Sequence, residues 1–211
     1  MQIKSFVLNP FQVNAFVVFD ESNEAVLIDA ACMSKNEEDI LCSFIEGNKL
    51  VPVAIFSTHG HVDHICGNAF LKEKFAIPFF MNKADNFFIE TALLHGSLFG
   101  LRIKEPPLPD ANPVQGDIFR FGNNSELHII EVPGHSPGSI AIFSPKANFV
   151  ITGDALFAGS IGRTDLPKGN YSELISSVNE KLFTLPSNTQ VLPGHGDFST
   201  IEIEKAENPF F

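Results

Sequence analysis

Apolar residues recur along this chain in two patterns, which together predict alternating strands and helices. Short apolar or alternating runs predict strands at residues 2–8, 13–19, 24–29, 50–57, 117–121, 125–131, 139–144 and 148–153, and a last strand leads into Pro193. Apolar residues at helical spacing predict helices at residues 36–48, 65–75, 83–99 and 171–183. This order of elements favours two layers of sheet covered by helices.

Length and composition predict one domain over residues 1–211. With 44% hydrophobic residues, the 211-residue chain can bury a substantial core in a single unit. We see no low-complexity segment, and we expect the proline-rich residues 104–110 to form a surface connector rather than a domain boundary.

The net charge of -11 argues against binding to nucleic acid, since no cluster of Lys and Arg offsets it. A small-molecule substrate is expected instead. The first twenty residues lack the uninterrupted apolar core of a signal peptide, and no run is long enough to cross a membrane. Three cysteines without regular spacing fit reduced thiols, Cys66 among them as a small buried residue, so a cytoplasmic protein is expected. Nothing in the pattern predicts an oligomeric state.

One short segment carries an unusual density of metal-binding side chains. His59, His61, Asp63 and His64 lie between the predicted strand 50–57 and the predicted helix 65–75. Three imidazoles and a carboxylate packed so closely without a cation would compete for hydrogen-bond partners. The segment therefore predicts a metal site where a strand ends and a helix begins.

These four side chains are too many for one open catalytic zinc site, which takes three protein ligands, and too few for two sites. Further donors follow later predicted strands: His135 and His195 each come after a Pro-Gly pair, and Asp154 follows Gly153. Taken singly, His135 and His195 could be turn histidines bonded to backbone, and Asp154 could be a helix N-cap. Their order along the chain favours a second metal.

With these motifs the chain resembles the metallo-β-lactamase-fold hydrolases, and within them the short single-domain members of the glyoxalase II group. The similarity runs from the N-terminal strands to His195. It implies an α/β fold of the αββα type, a four-layer sandwich of two mixed sheets with helices outside. It also implies that His59, His61 and His135 hold a first metal, that Asp63, His64 and His195 hold a second, and that Asp154 bridges both.

Such a ligand set predicts hydrolysis. Two divalent cations sharing a hydroxide lower its pKa, which provides a nucleophile at neutral pH without a serine or cysteine. We expect this hydroxide to attack a thioester or ester carbonyl, with Asp63 and Asp154 as the carboxylates of the catalytic centre. Zinc is the expected metal, and iron and manganese accept the same ligands.

Two further residues have roles that the sequence leaves open. Asp29 matches a position that in the family orients a metal-binding histidine, although it could equally be a turn aspartate. Arg163 lies in a segment after Asp154 and is predicted to bind a substrate carboxylate or carbonyl, unless it only pairs with Asp165. Glyoxalase II grips glutathione with a C-terminal helical domain, and only about sixteen residues follow His195 here. Glutathione specificity is therefore left open.

Other functions are also compatible with these residues. Persulfide dioxygenases share the fold and a similar Gly-Arg-Thr-Asp segment, and the resemblance implies that they use a single iron. A lactonase would use the same two metals, and a non-catalytic module could keep metal for stability alone. His95 and His128 lie outside every motif and are interpreted as ordinary histidines.

Overall fold

The computed structural model describes residues 1–211 and is built around two β-sheets. The first sheet contains, in spatial order, β1 (Gln2–Leu8), β2 (Val13–Phe19), β3 (Glu24–Ile28), β4 (Val51–Phe56) and β5 (Phe79–Phe80). The pairs β1–β2 and β2–β3 are antiparallel, whereas the pairs β3–β4 and β4–β5 are parallel. This sheet is therefore mixed.

The second sheet comes from the C-terminal half of the chain. Its strands are β6 (Ile118–Phe121), β7 (Ser125–Glu131), β8 (Ile140–Ser144), β9 (Phe149–Gly153), β12 (Gln190–Pro193) and β13 (Ser199–Thr200). Between β9 and β12 in sequence, β10 (Leu156–Phe157) and β11 (Ser160–Ile161) form a separate two-stranded ribbon. The spatial order is β13-β12-β9-β8-β7-β6, with β12 parallel to β9 and the other pairs antiparallel.

Six α-helices connect and cover the strands: α1 (Lys35–Gly47), α2 (Val62–Ile65), α3 (Asn68–Phe75), α4 (Asn86–Leu98), α5 (Tyr171–Glu180) and α6 (Ile201–Glu207). Short 3₁₀ turns occupy Lys83–Asp85 and Leu182–Thr184. Side chains fix several helix starts, since Ser34 forms a capping box with Glu37, and Asn170 and Thr200 cap α5 and α6. No helix has the length and apolar character needed to cross a membrane.

The strand pattern explains the layers. In β2, Phe16 and Val18 pack between the two sheets, while Ala15 and Val17 pack against the helices on the outer face. The outer core of the first sheet includes residues of α1, α3 and α4, and that of the second sheet includes Leu174 of α5. The predicted αββα sandwich is confirmed.

The predicted helix at residues 65–75 is wrong in its bounds. Helical structure begins earlier, at Val62, and is interrupted between α2 and α3. The Gly67 N–H donates to the Ala30 carbonyl at 2.7 Å, and a Cβ on Gly67 would lie 2.2 Å from that oxygen. A contact with a distant strand end thus breaks a helix that local periodicity predicts as continuous.

Other differences concern short elements. The predicted helix 83–99 begins with the 3₁₀ turn, and the predicted helix 171–183 ends at Glu180 before a second such turn. The two-residue strands and α6 were not predicted, because segments this short show no measurable period.

Candidate metal centre

Four strands present their C-terminal ends at one edge of the sandwich, and this edge holds every predicted metal ligand. His59 and His61 follow β4, and Asp63 and His64 lie in α2. The remaining ligands follow β7, β9 and β12, and they are His135, Asp154 and His195. The structure brings all seven side chains into one cluster.

The first group of donors consists of three histidines. One ring nitrogen from each of His59, His61 and His135 lies within 4.8 Å of the others. His61 Nδ1 and His135 Nε2 face each other at 2.8 Å, and His59 Nε2 is buried without a hydrogen-bond partner. Three imidazoles directed at one point form the donor set of a transition-metal site.

The second group combines a carboxylate with two histidines. His64 Nε2 and His195 Nε2 are 3.2 Å apart, and Asp63 Oδ2 lies 3.6 Å from the first and 3.5 Å from the second. This group is more open, because the His195 side chain is 26% exposed whereas the His64 side chain is fully buried.

Asp154 lies between the two groups. Its Oδ1 is 3.4 Å from His64 Nε2, and its Oδ2 is 3.5 Å from both His135 Nε2 and His195 Nε2. No helix begins at Asp154, since β10 follows directly, so the N-cap alternative is wrong. One carboxylate in this position can contact ions held by either group.

His135 and His195 each use their two ring nitrogens differently. His135 Nδ1 lies 2.7 Å from the Arg163 carbonyl, and His195 Nδ1 lies 2.9 Å from the Phe11 carbonyl. The backbone bonds expected of turn histidines are therefore present. They fix each ring so that Nε2 is directed into the cluster.

The electrostatics of the cluster favour cations. Burial, together with neighbouring histidines, holds the pKa of His59 well below its usual value and lowers the pKa of His61 to about 3. Although burial opposes its charge, Asp154, Asp63 and Asp29 raise the pKa of His64 to about 10. The first group thus offers neutral imidazole lone pairs, while carboxylates surround the second.

The residues present fit a pair of metal ions. Buried polar atoms in proteins are nearly always hydrogen-bonded, yet His59 Nε2 and Asp154 Oδ1 are buried in the cluster without a partner. Each is an atom of the type that binds zinc, iron or manganese. Cations would satisfy these atoms and the facing ring nitrogens together.

Asp29 supports the second group through a contact with His64. Its carboxylate lies 3.1 Å from His64 Nδ1 and accepts hydrogen bonds from the Thr58 backbone N–H at 2.7 Å and the Thr58 hydroxyl at 2.9 Å. Asp29 therefore orients the ring of His64, the contact that the family resemblance implied, rather than only closing a turn.

Two asparagines of the N-terminal segment also support the cluster, and sequence reasoning missed both. Asn14 Nδ2 donates to the carbonyls of Pro193 and Gly196, each at 3.0 Å, on either side of His195. Asn9 Nδ2 donates to the Asp63 carbonyl at 2.9 Å. Two polar asparagines within a mostly apolar segment were the only sequence feature that could have indicated this role.

Arg163 lies at the rim of the cluster. Its guanidinium donates two hydrogen bonds to the Asp165 carboxylate, at 2.7 and 2.8 Å, and both side chains are exposed. The structural pair left open by the sequence is therefore present. The Arg163 carbonyl, through its contact with His135, keeps this segment beside the first group. His95 and His128 lie outside the cluster.

An αββα sandwich with two groups of His and Asp donors at one edge defines a metal-dependent hydrolase fold. A family model described as the metallo-β-lactamase superfamily matches residues 8–195. The chain belongs to this superfamily.

Individual relatives agree with this assignment. The hydroxyacylglutathione hydrolase GloC of Haemophilus influenzae is 36% identical, over 100% of this chain and 98% of that protein. Among solved structures, the BLEG-1 B3 metallo-β-lactamase superposes with a TM-score of 0.90 at 33% identity, covering 99% of each chain. TTHA1623 in a di-iron-bound form superposes with a TM-score of 0.88 at 36% identity, covering 99% of this chain and 100% of that one. Two metal ions in such a fold are therefore supported by a related structure.

Proposed function

We propose that this protein is a dinuclear metallo-hydrolase that cleaves acyl thioesters, in the manner of a hydroxyacylglutathione hydrolase. The observation that carries the proposal is the position of Asp154 between two complete groups of three donors. Thioesters are favoured over other acyl compounds by the whole-length similarity to GloC.

When bound, two divalent cations would supply an activated water nucleophile and polarise the substrate carbonyl. The residues of the chain would set the geometry for this chemistry. Asp154 would fix the separation of the two groups, and Asp63 would add negative charge to the more exposed group. Zinc is the expected metal, and iron remains an alternative in view of the di-iron relative.

Arg163 is proposed to bind a carboxylate of the thiol portion of the substrate. It is exposed at the rim, and its pairing with Asp165 shows that its guanidinium can bind a carboxylate through two hydrogen bonds. A substrate carboxylate would replace Asp165 in this arrangement.

The complete donor sets argue against a single iron. A mononuclear persulfide dioxygenase would leave several donors unused, whereas in this structure the ligand atoms of His64, His195 and Asp63 also lie within 4.8 Å of one another. Lactone hydrolysis uses the same centre and is separated from thioester hydrolysis only by substrate.

The test is a substrate panel with protein loaded with zinc, iron or manganese. S-lactoylglutathione, simpler acyl thioesters, lactones and a β-lactam would be compared by kcat/KM, and oxygen uptake would be followed with a persulfide. We expect thioesters to be hydrolysed with kcat/KM at least about 100-fold above the other classes, a difference of about 2.7 kcal/mol. One iron per chain with oxygen uptake, or preferential lactone or β-lactam hydrolysis, would contradict the proposal.

A matched pair of histidine variants controls this experiment. His195→Gln should lose at least about 1,000-fold in kcat/KM, because a donor of the second group is removed. His128→Gln changes a histidine that lies on β7 beside Glu126, outside the cluster, and should keep full activity. Equal activities of the two variants would rule out a role for the second group.

A further inference from the structure

Asp85 is a buried carboxylate that the proposed chemistry does not use. It ends the 3₁₀ turn before α4, and its side chain is fully buried. Its oxygens accept hydrogen bonds from the Gly60 N–H at 2.8 Å, the Ser136 hydroxyl at 2.6 Å and the Gly138 N–H at 2.7 Å. None of these three partners is charged.

The partners of Asp85 belong to the two loops that carry the first group of donors. Gly60 lies between His59 and His61, and Ser136 directly follows His135. Asp85 Oδ2 accepts from both loops, at Gly60 and at Ser136. One carboxylate oxygen thus joins two segments that are more than 70 residues apart in sequence.

Asp85 occupies a position where an aspartate usually has a different role. It precedes the first residue of α4, where an aspartate side chain normally accepts a hydrogen bond from the helix backbone, yet no such bond forms here. Its carboxylate is directed at the ligand loops instead. Capping of α4 therefore does not explain the residue.

The two loops lie directly against Asp85. A Cβ on Gly60 would be 2.9 Å from the Asp85 carbonyl oxygen, and a Cβ on Gly138 would be 2.7 Å from Asp85 Cγ. Glycine at both positions permits this approach. Burial raises the pKa of Asp85, so its ionised form depends on these hydrogen bonds.

We propose that Asp85 is a positioning residue for the three-histidine group, which holds the His59–His61 loop and the His135 loop at the separation that one metal ion requires. Asp29 has the corresponding role for the second group through His64. The inference rests on the metal pair of the proposed function, and it is independent of which substrate is hydrolysed.

The test is Asp85→Asn, with Asp20→Asn as the matched control. Asp20 is also a buried aspartate that accepts several N–H and O–H hydrogen bonds, but its partners lie away from the cluster: Ser22 in the turn β2–β3, Asn123 in the turn β6–β7 and Ser125 at the start of β7. Each Asp85 oxygen accepts from a backbone N–H, so an asparagine at position 85 must direct its NH₂ group at the Gly60 or the Gly138 N–H and lose that hydrogen bond to a ligand loop.

Metal content and affinity are the primary measurements, made by titrating the metal-free variants with Zn²⁺ against a competing chelator. We expect Asp85→Asn to weaken one of the two sites by about 10- to 100-fold and to leave the other unchanged, while Asp20→Asn keeps both. kcat should fall in Asp85→Asn with KM little altered, because the centre rather than substrate binding is disturbed. Equal affinities of both sites in Asp85→Asn and wild type, or equal losses in the two variants, would overturn the proposal.

A second variant keeps the test decisive if Asp85→Asn does not fold. Ser136→Ala removes one of the two hydrogen bonds that tie the His135 loop to Asp85 and leaves the one from the Gly138 N–H, so it should weaken the same site by a smaller factor, about 3- to 10-fold. An unchanged affinity in Ser136→Ala would then contradict the inference. Wild-type protein that binds two ions without hydrolysing thioesters would refute the proposed substrate and leave the role of Asp85 standing.

Discussion

Asp20 and Asp154 lie at opposite ends of the sandwich, and the hydrogen bonding of their carboxylates differs. At the end away from the metal centre, Asp20 accepts four hydrogen bonds, from the N–H and hydroxyl of Ser22, the N–H of Asn123 and the hydroxyl of Ser125. At the metal end, Asp154 Oδ1 is buried with no hydrogen-bond partner. Three of the five buried polar atoms without a partner, His59 Nε2, His61 Nε2 and Asp154 Oδ1, belong to the donor groups, so unsatisfied donor atoms distinguish the metal end better than buried charge alone.

The same contrast appears in the acid–base behaviour. Burial alone would raise the pKa of Asp20, but its hydrogen bonds outweigh this effect and hold the pKa at about 2. At the metal end the charged groups depend on one another, since Asp154, Asp63 and Asp29 together raise the pKa of His64 to about 10. Protein groups satisfy the carboxylate of Asp20 at one end, whereas the unpartnered donor atoms at the metal end need a bound cation.

The largest expected effect comes from Asp154→Asn, which removes the carboxylate shared by the two groups. We expect a loss of at least about 1,000-fold in kcat/KM, about 4 kcal/mol, and fewer than two ions per chain. Added metal should raise the Tm of wild type, and most of this increase should vanish in the variant because binding to the folded state is weaker. Steady-state kinetics, metal analysis and thermal unfolding check these outcomes. Full activity of the variant with two bound ions would contradict the role of Asp154 as the shared carboxylate of the metal end.

An intermediate effect is expected from Asp20→Asn, and it concerns stability. Losing hydrogen bonds to a buried carboxylate should lower the free energy of unfolding by about 2 kcal/mol at pH 7, with metal content and kcat unchanged. Because the folded pKa lies below that of the unfolded chain, this contribution is complete above about pH 4 and is lost as the pH falls towards about 2. Urea unfolding at several pH values should show the two proteins converging in acid; a constant difference would contradict this.

The smallest effect is expected from Arg163→Gln at the rim of the metal end. KM for S-lactoylglutathione should rise about fivefold, near 1 kcal/mol, with kcat retained, and KM for a thioester without a carboxylate should not change. Asp165→Asn frees the guanidinium and should leave KM equal or lower. If the pair only shapes the segment, both variants would instead raise KM for both substrates.

Long elements with a clear period were predictable from the sequence. The observed bounds of β1, β2 and β7 equal the predicted ranges 2–8, 13–19 and 125–131. The two-residue strands were not predictable, because pairing partners rather than local pattern create them. The break between α2 and α3 depends on the contact of Gly67 with Ala30, which no window around residue 67 contains.

The cluster itself was predictable because its donors are chemically distinctive and follow recognisable strands. The residues that support it were harder to find. Asn14 acts on the His195 loop across a separation of about 180 residues, and Asp85 joins two loops without belonging to any motif. Apart from the Ser136 hydroxyl, their partners are backbone groups, which carry no signal in the sequence.

The most direct test of the metal pair is a crystal structure of the metal-loaded protein with anomalous scattering recorded at the metal edge. We predict two ions per chain, one among His59, His61 and His135 and one among Asp63, His64 and His195, with Asp154 contacting both. A single anomalous peak in fully loaded protein, or an Asp154 carboxylate turned away from the ions, would contradict it.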